Sequence, residues 1–255
     1  MLKLESEVND FAQLVADKML RSAGKEQFDV KEAFNCFTAD VTADCMGEDI
    51  KAVMRQMNVT IPKYIRSALD NPENERVFAD LVASKSMPEE ERSMYRLSGE
   101  GFNFLLAGTE TTAGTLTVIT YYLLTQPATY KTLMKDLQGL EPSNLKWTDF
   151  EPRLYLWAVI QQSLRMMPGV SHRSARIARD EDLVYKSRDG SVQWVIPRGT
   201  PIGMTSMINP WNKELFMNPD EFVPERWLVD GQPNYKLQKM LISLGKGSRS
   251  CIGEK

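Results

Sequence analysis

The stretch from Leu97 to Gln126 constrains the fold more than any other part of the sequence. It predicts one long helix with few charges after Glu100, which we expect to run through the interior of the protein. Residues 107–112 read AGTETT, and glycine and threonine are poor helix formers, so a kink or local groove is expected there. In such a groove the acid Glu110 beside the alcohol Thr111 could hold water and pass protons. The alternative is a close helix crossing at small residues.

Much of the remaining chain also has the apolar spacing of helices. Helices are predicted over 5–21, 29–47, 52–69, 78–83, 127–137 and 154–167. Two alternating runs, Leu183–Tyr185 and Val192–Ile196, are joined by Asp189-Gly190, which is typical of a β-hairpin. The sequence therefore predicts a mainly α-helical fold with a small antiparallel β region.

The composition limits the kinds of partner. The chain has 255 residues, of which 42% are hydrophobic, so a sizeable core can form. Its net charge of -3 gives no electrostatic reason to bind nucleic acid or an anionic membrane, which favours a small-molecule partner. Cys36, Cys45 and Cys251 are too scattered for a disulfide framework. The most apolar run, Leu116–Leu124, is too short to span a bilayer, so the chain is expected to be soluble and to carry no membrane anchor.

The segment Leu244–Gly253, called the cysteine loop below, surrounds one cysteine with glycines and cations. Gly247 and Gly253 lack a Cβ, so the backbone can turn sharply and approach a flat cofactor closely. Cys251 would be the metal ligand as a thiolate, the form that neighbouring cationic side chains favour. The planar guanidinium of Arg249 suits a carboxylate. The alternative is that Cys251 is a small buried apolar residue in a turn.

Two of these motifs resemble the cytochrome P-450 family. The spacing Gly-x-Arg-x-Cys-x-Gly over 247–253 is similar to the family's haem-binding loop, and KGSRSC over 246–251 resembles its fungal members. The AGTETT segment resembles the family's oxygen-activation motif, with Glu110 and Thr111 at the acid and alcohol positions. One residue departs from the pattern, because Leu244 stands where the family usually has a phenylalanine packed under the porphyrin.

Two further segments carry the resemblance. The family has Glu-x-x-Arg in one helix, locked with an arginine from a later Pro-Glu-Arg segment. Here Arg165 and Arg226 hold the two arginine positions, but Gln162 replaces the glutamate. Charge-assisted hydrogen bonds would become neutral ones, which predicts a weaker scaffold around the cofactor. Arg176 falls where the family has an arginine that binds a haem propionate.

The resemblance implies a haem cofactor, iron protoporphyrin IX, with Cys251 as its axial thiolate ligand. Arg176 and Arg249 would hold the propionates, and Glu110 and Thr111 would deliver protons. Gly247, Gly253 and Leu244 would lie against the porphyrin.

The resemblance also implies an architecture. The chain would be a single incomplete haem-thiolate domain over 1–255, mostly helical over 1–167, with a small sheet, loops and the cysteine loop over 168–255. Compared with intact relatives, it is expected to lack the N-terminal part, the lid helices and the C-terminal end. Intact relatives are expected at the endoplasmic reticulum membrane, and this chain is expected to face the cytosol without an anchor.

The activity implied is that of a monooxygenase, which inserts one oxygen atom from O2 into a hydrophobic small molecule of fungal secondary metabolism. Electrons would come from an NADPH-dependent reductase, because the sequence has no flavin or nicotinamide fingerprint of its own. One alternative is a non-catalytic, truncated remnant of such an enzyme. Another is a helical interaction module without haem.

Overall fold

The structure is a computed structural model that describes residues 5–25, 29–31, 33–35, 56–70, 84, 86–141 and 145–254. Within these ranges residues 30–31 and 33–35 are helical, and the α-helices with defined bounds are α1 (Glu5–Ser22), α2 (Ile61–Asp70), α3 (Met94–Thr125), α4 (Pro127–Asp136), α5 (Trp147–Phe150), α6 (Leu154–Met166) and α7 (Tyr235–Gln238). A π-helical turn, Gln56–Thr60, precedes α2. Short 3-10 turns include Glu89–Arg92, Asn209–Trp211, Pro224–Trp227 and Gly247–Arg249. No described helix combines the length and apolar character needed to cross a membrane.

Short strands pair two by two in antiparallel fashion. The strands are β1 (Ser174–Ile177), β2 (Leu183–Lys186), β3 (Gln193–Ile196), β4 (Pro201–Met204), β5 (Leu228–Val229) and β6 (Gln232–Pro233). β1 pairs with β4, β2 with β3, and β5 with β6. The hairpin predicted around Asp189-Gly190 is confirmed, with Leu183 opposite Ile196, and Gly190 has a φ of +72° that suits a tight turn. The predicted fold class, mainly α with a small antiparallel β region, is confirmed.

Proline marks the start of two helices. Pro127 is the first residue of α4, where its missing N–H has no intrahelical acceptor to lose. Pro62 is the second residue of α2, and the described part of the helix predicted over 52–69 changes there from the π-helical turn to α2. The predicted helices over 29–47 and 78–83 lie largely or wholly outside the described residues.

Asp136, at the end of α4, fixes the start of α6. Its Oδ2 atom accepts hydrogen bonds from the backbone N–H groups of Tyr155 and Leu156, each at 3.1 Å. The first N–H groups of a helix have no intrahelical partner, so a carboxylate from another helix serves as their cap. The preceding residues Trp147–Phe150 form the separate short helix α5, with Glu151 as its C-cap residue.

The long helix is confirmed as α3, which runs without interruption through the AGTETT segment. Its position differs from the prediction. Leu97, Leu105 and Ala113 are buried, but Tyr121 and Leu124 are 59% and 75% exposed. The helix is apolar around most of its circumference, and the core that it joins covers only part of that surface.

The contacts divide the chain into two compact units. Unit 1 comprises Met1–Thr125 and Gly139–Pro152, and unit 2 comprises Gln126–Gln138 and Arg153–Lys255. In unit 1, Ile61, Ile65 and Leu97 form a buried cluster. In unit 2, the buried cluster is Ala158, Phe216, Trp227 and Leu241. The single domain over 1–255 stays a prediction.

Candidate functional site

The cysteine loop is closed by backbone hydrogen bonds. The N–H of Cys251 donates to the carbonyl of Leu244 at 2.7 Å, and the N–H of Ser250 donates to the carbonyl of Gly247 at 3.1 Å. Gly245 and Gly247 have φ values of +69° and +76°, which only glycine adopts at little cost. The loop thus folds back on itself and presents a free, exposed Cys251 thiol.

The backbone around this thiol leaves room for a flat cofactor to which the sulfur could bind. A Cβ atom added at Gly253 would lie 3.7 Å from the Cys251 sulfur, and one added at Gly247 would meet nothing within 4 Å. The absence of side chains at these positions leaves the backbone open to close approach. An exposed thiol is also inconsistent with the alternative of a buried cysteine in a turn. The residues present therefore fit a haem ligated by one cysteine.

The cations of the loop have different environments. Arg249 is exposed in the 3-10 turn that precedes Cys251. Lys246 instead donates from its ammonium group to the backbone carbonyl of Lys239. Both side chains are exposed, so the difference is that Lys246 is engaged with a backbone carbonyl, whereas no hydrogen bond or ion pair within the described part of the chain engages the Arg249 guanidinium.

A contact missed by the sequence reasoning ties the chain just before the loop to α6. The Ser243 hydroxyl donates to the carbonyl of Leu164 at 2.6 Å. Leu241, two residues earlier, is part of the buried cluster of unit 2. The bond joins residues 79 positions apart, and no local pattern in the sequence signals it.

Gln162 is the centre of a buried hydrogen-bond network. Its Oε1 accepts from Trp227 Nε1 at 2.9 Å and from Arg165 Nε at 3.3 Å, and its Nε2 donates to the Glu221 carbonyl at 2.9 Å. Gln162, Arg165 and Trp227 are all 0% exposed. The neutral amide uses both its acceptor and its donor, which a buried polar side chain requires.

The guanidinium of Arg165 is satisfied largely by backbone. It donates to the carbonyls of Pro210 at 2.7 Å and Glu221 at 3.1 Å. Its Cζ atom also lies 5.2 Å from the centroid of the Phe216 ring and 5.8 Å from that of Trp211, within cation–π range. Carbonyl dipoles and aromatic faces thus surround the buried charge.

Arg226 joins the same network through one shared acceptor. It donates to the carbonyls of Met217 at 2.8 Å and Glu221 at 3.4 Å, and the latter also accepts from Gln162 and Arg165. Burial lowers the pKa of Arg226, while the nearby carboxylates of Glu221 and Glu225 oppose that shift. The three predicted scaffold residues, Gln162, Arg165 and Arg226, thus all donate to the Glu221 carbonyl.

Arg176 lies on β1, opposite Ile202 of β4. It is exposed, and its guanidinium donates to the carbonyl of the preceding Ala175 at 3.0 Å. Such a local bond engages one of five N–H donors, so the group keeps donors for a carboxylate.

Glu110 and Thr111 lie in unit 1, on α3. The Thr111 hydroxyl donates to the carbonyl of Ala107 at 2.6 Å, the bond to the preceding turn that is expected of threonine in a helix. Glu110 is exposed and forms an ion pair with Lys31 at 2.9 Å. The hydrogen bond with Glu110 and its charge raise the pKa of Lys31.

The predicted site residues therefore fall into groups. The cysteine loop, the Gln162 network and Arg176 belong to unit 2, whereas Glu110 and Thr111 belong to unit 1. Among the described side chains, no group of three or more histidines, cysteines or carboxylates could hold a metal ion. A haem iron needs only one thiolate from the protein, so this finding concerns other kinds of metal centre.

Comparisons with known proteins extend these observations. The model of the cytochrome P-450 family matches residues 47–255. The cytochrome P-450 monooxygenase SAT11 of Stachybotrys chartarum is 39% identical over 175 residues, which cover 68% of this chain and 32% of that protein. The monooxygenase claJ of Penicillium crustosum is 34% identical over 209 residues, covering 80% of this chain and 46% of that protein.

A third relative, the conidiogenone synthase of Penicillium rubens, is 38% identical over 172 residues, covering 68% of this chain and 33% of that protein. The chain thus spans about a third to a half of the length of these relatives. The family match covers most of the chain and includes the whole cysteine loop. The chain belongs to the cytochrome P-450 family.

Proposed function

We propose that the chain is the haem-ligating part of a fungal-type monooxygenase that acts on a hydrophobic small molecule of secondary metabolism. In the overall reaction, substrate, O2, two electrons and two protons give the hydroxylated substrate and one water. A C–H bond and the O–O bond are broken, a C–O bond and an O–H bond form in the product, and the second oxygen atom leaves as water. The electrons come from an NADPH-dependent reductase. Fungal relatives with monooxygenase names support the reaction class.

The exposed thiol of Cys251 is the observation that carries this proposal. Its backbone N–H is held by the Leu244 carbonyl, and glycine residues keep the approach to the sulfur open. A bound haem would supply the redox chemistry for activating O2. The protein would contribute one thiolate in a fixed position, and the hydrogen bonds within the cysteine loop support that role.

Other residues have roles as positioning or proton-transfer groups. The exposed guanidinium groups of Arg176 and Arg249 would bind the two propionates, since a planar fork matches a carboxylate. Thr111 and Glu110 would carry protons along α3. The Thr111 hydroxyl already donates to Ala107, so its oxygen remains an acceptor for a water molecule.

The experiment compares two matched cysteine variants. The chain is produced with haem, reduced and treated with carbon monoxide, and its absorption is recorded. Cys251→Ser is expected to abolish the thiolate-type spectrum, whereas Cys45→Ser makes the same chemical change elsewhere and is expected to leave it intact. A thiolate spectrum that survives Cys251→Ser, or its loss on replacing His172, the only histidine of the sequence, would contradict the assignment.

Product formation separates the proposal from its alternatives. The haem-loaded chain is supplied with reductase, NADPH, O2 and hydrophobic candidate substrates, and a product that carries one oxygen atom from O2 would support a catalytic monooxygenase. Haem binding with release of hydrogen peroxide and no product would support a non-catalytic remnant. A folded chain that takes up no haem would support a helical interaction module.

A further inference from the structure

The Ser243 hydroxyl occupies a special place at the end of α6. The last carbonyls of a helix have no intrahelical N–H partner, and Leu164 lies two residues before the final residue, Met166. The Ser243 hydroxyl supplies that partner at 2.6 Å. Leu164 is itself half-buried and packs against the core cluster of unit 2, so its carbonyl is a firm attachment point.

Few contacts separate the Ser243 hydroxyl from Cys251. Ser243 is bonded directly to Leu244, whose carbonyl accepts the hydrogen bond from the Cys251 N–H at 2.7 Å. Cys251 is therefore held to the Leu244 carbonyl, and the adjacent Ser243 is held to α6 through its hydroxyl. The loop residues 245–253 are exposed, so few other contacts can restrain them.

The helix end that receives this bond is well fixed. The adjacent Arg165 is 0% exposed and donates to the carbonyls of Pro210 and Glu221. A side chain with several buried hydrogen bonds resists rotation, because any movement leaves polar groups unpaired. The position of the Leu164 carbonyl is thus set by the core and not by the loop.

We propose that Ser243 is a positioning residue that anchors the cysteine loop to α6 and so sets the position of the Cys251 thiolate. The positioning role rests on the proposed function, in which the Cys251 thiolate binds haem. The anchoring itself is a property of the chain without haem, and it can be measured separately.

The test uses three variants. Ser243→Ala removes the hydroxyl, and Ser243→Thr keeps one. Ser206→Ala is the matched control, because the Ser206 hydroxyl also donates at 2.6 Å to a distant carbonyl, that of Val170, which lies outside the cysteine loop. Amide hydrogen exchange at Cys251 is measured on each haem-free chain.

Ser243→Ala is expected to make exchange at Cys251 faster by roughly 2- to 12-fold, the range that corresponds to losing one ordinary hydrogen bond. Ser243→Thr is expected to restore most of the protection, and Ser206→Ala to leave it unchanged. Unchanged exchange in Ser243→Ala, or equal acceleration in Ser206→Ala, would overturn the anchoring role.

Haem retention gives the second measurement. After haem loading, Ser243→Ala is expected to lose haem faster than the unaltered chain and to show less of the thiolate-type spectrum, whereas Ser206→Ala matches the unaltered chain. If Ser243→Ala retains haem and the thiolate spectrum fully, the positioning role is wrong. If the unaltered chain itself gives no thiolate spectrum, the proposed function fails, while the exchange result still decides the anchoring.

Discussion

Gln162 shows how a neutral residue can serve where the family has a charged one. The sequence predicts that its two arginine neighbours lose charge compensation. In the structure, the backbone carbonyls of Pro210 and Glu221 accept hydrogen bonds from Arg165. The side-chain oxygen of Gln162 also accepts a hydrogen bond from the Trp227 indole N–H. A glutamate could not donate to the Glu221 carbonyl as the Gln162 amide does at 2.9 Å. The local contacts therefore use both halves of the amide.

Replacing Gln162 with leucine tests this network. The variant leaves the buried Trp227 N–H without its acceptor and removes the donor to the Glu221 carbonyl. Unsatisfied buried polar groups cost about 1–3 kcal/mol each, so we expect the free energy of unfolding to fall by about 2–4 kcal/mol. Urea unfolding monitored by circular dichroism measures the change.

Gln161→Leu is the matched control for this substitution. Gln161 is the preceding residue of α6 and is only half-buried, so its replacement is expected to change the unfolding free energy by less than about 0.5 kcal/mol. Equal losses in the two variants would mean that the Gln162 hydrogen bonds contribute nothing specific.

At the scale of elements, the turn of the β2–β3 hairpin contains a carboxylate with several hydrogen bonds. Asp189 accepts hydrogen bonds from the Ser187 hydroxyl at 2.6 Å and the Ser191 hydroxyl at 2.8 Å. These bonds lower the pKa of Asp189 from 3.8 to about 2, with that from Ser187 having the largest effect. The bonds favour the charged form, so they stabilise the turn while the carboxylate is ionised.

The pH dependence follows from the sign of this shift. A pKa that is lower in the folded state gives stabilisation that is present above pH 3.8 and lost as the pH falls towards about 2. We expect Ser187→Ala to raise the pKa of Asp189 towards 3.8 and Ser191→Ala to raise it less. Titration of the carboxyl carbon by NMR measures both, and an unchanged pKa in Ser187→Ala would contradict the assignment.

A second element-scale contact joins α6 to the Pro224–Trp227 turn. The buried Tyr155 hydroxyl donates to Glu225 Oε1 at 2.6 Å. Burial, and then the hydrogen bond with Glu225, raises the pKa of Tyr155 above its ordinary value of 10.0. The stabilisation is therefore fully present below pH 10 and is lost as the pH rises through the higher folded pKa.

Tyr155→Phe is expected to lower the unfolding free energy by about 1 kcal/mol at neutral pH, because the hydrogen bond to the exposed carboxylate of Glu225 is lost. Tyr130→Phe on α4 is the control, since Tyr130 is 49% exposed. We expect no change for the control by thermal unfolding. A loss in Tyr130→Phe as large as in Tyr155→Phe would show that the Glu225 bond is not the cause.

The elements also show what a sequence can predict. The helices α3, α4 and α6 and the hairpin at Gly190 depend on patterns within a few residues, so their predicted positions are confirmed. The pairing of β1 with β4 and the Ser243–Leu164 bond depend on contacts between distant segments, which local spacing does not encode. The resemblance named the scaffold residues, but it did not reveal that Gln162 bonds Trp227.

At the scale of the whole molecule, the chain passes repeatedly between the two compact units. Each unit is built from two separate segments, and the segments alternate along the chain. Each unit also has a buried cluster of its own. The sequence predicts one domain over 1–255, whereas separate cores are what independent folding would need. The measurable difference between these outcomes is whether a defect in one unit destabilises the other.

We expect the units to unfold together, as the single-domain prediction requires. Because the segments alternate, unfolding of unit 2 releases the ends of the Gly139–Pro152 segment and turns the connection over 126–138 into a flexible loop that unit 1 must close. Gln162→Leu, which acts in unit 2, should therefore reduce protection from hydrogen exchange in α3 of unit 1 as much as in α6. Mass spectrometry of peptides from the two helices measures this, with Gln161→Leu expected to affect neither. Protection lost in α6 alone would mean that the chain contains two domains that open independently.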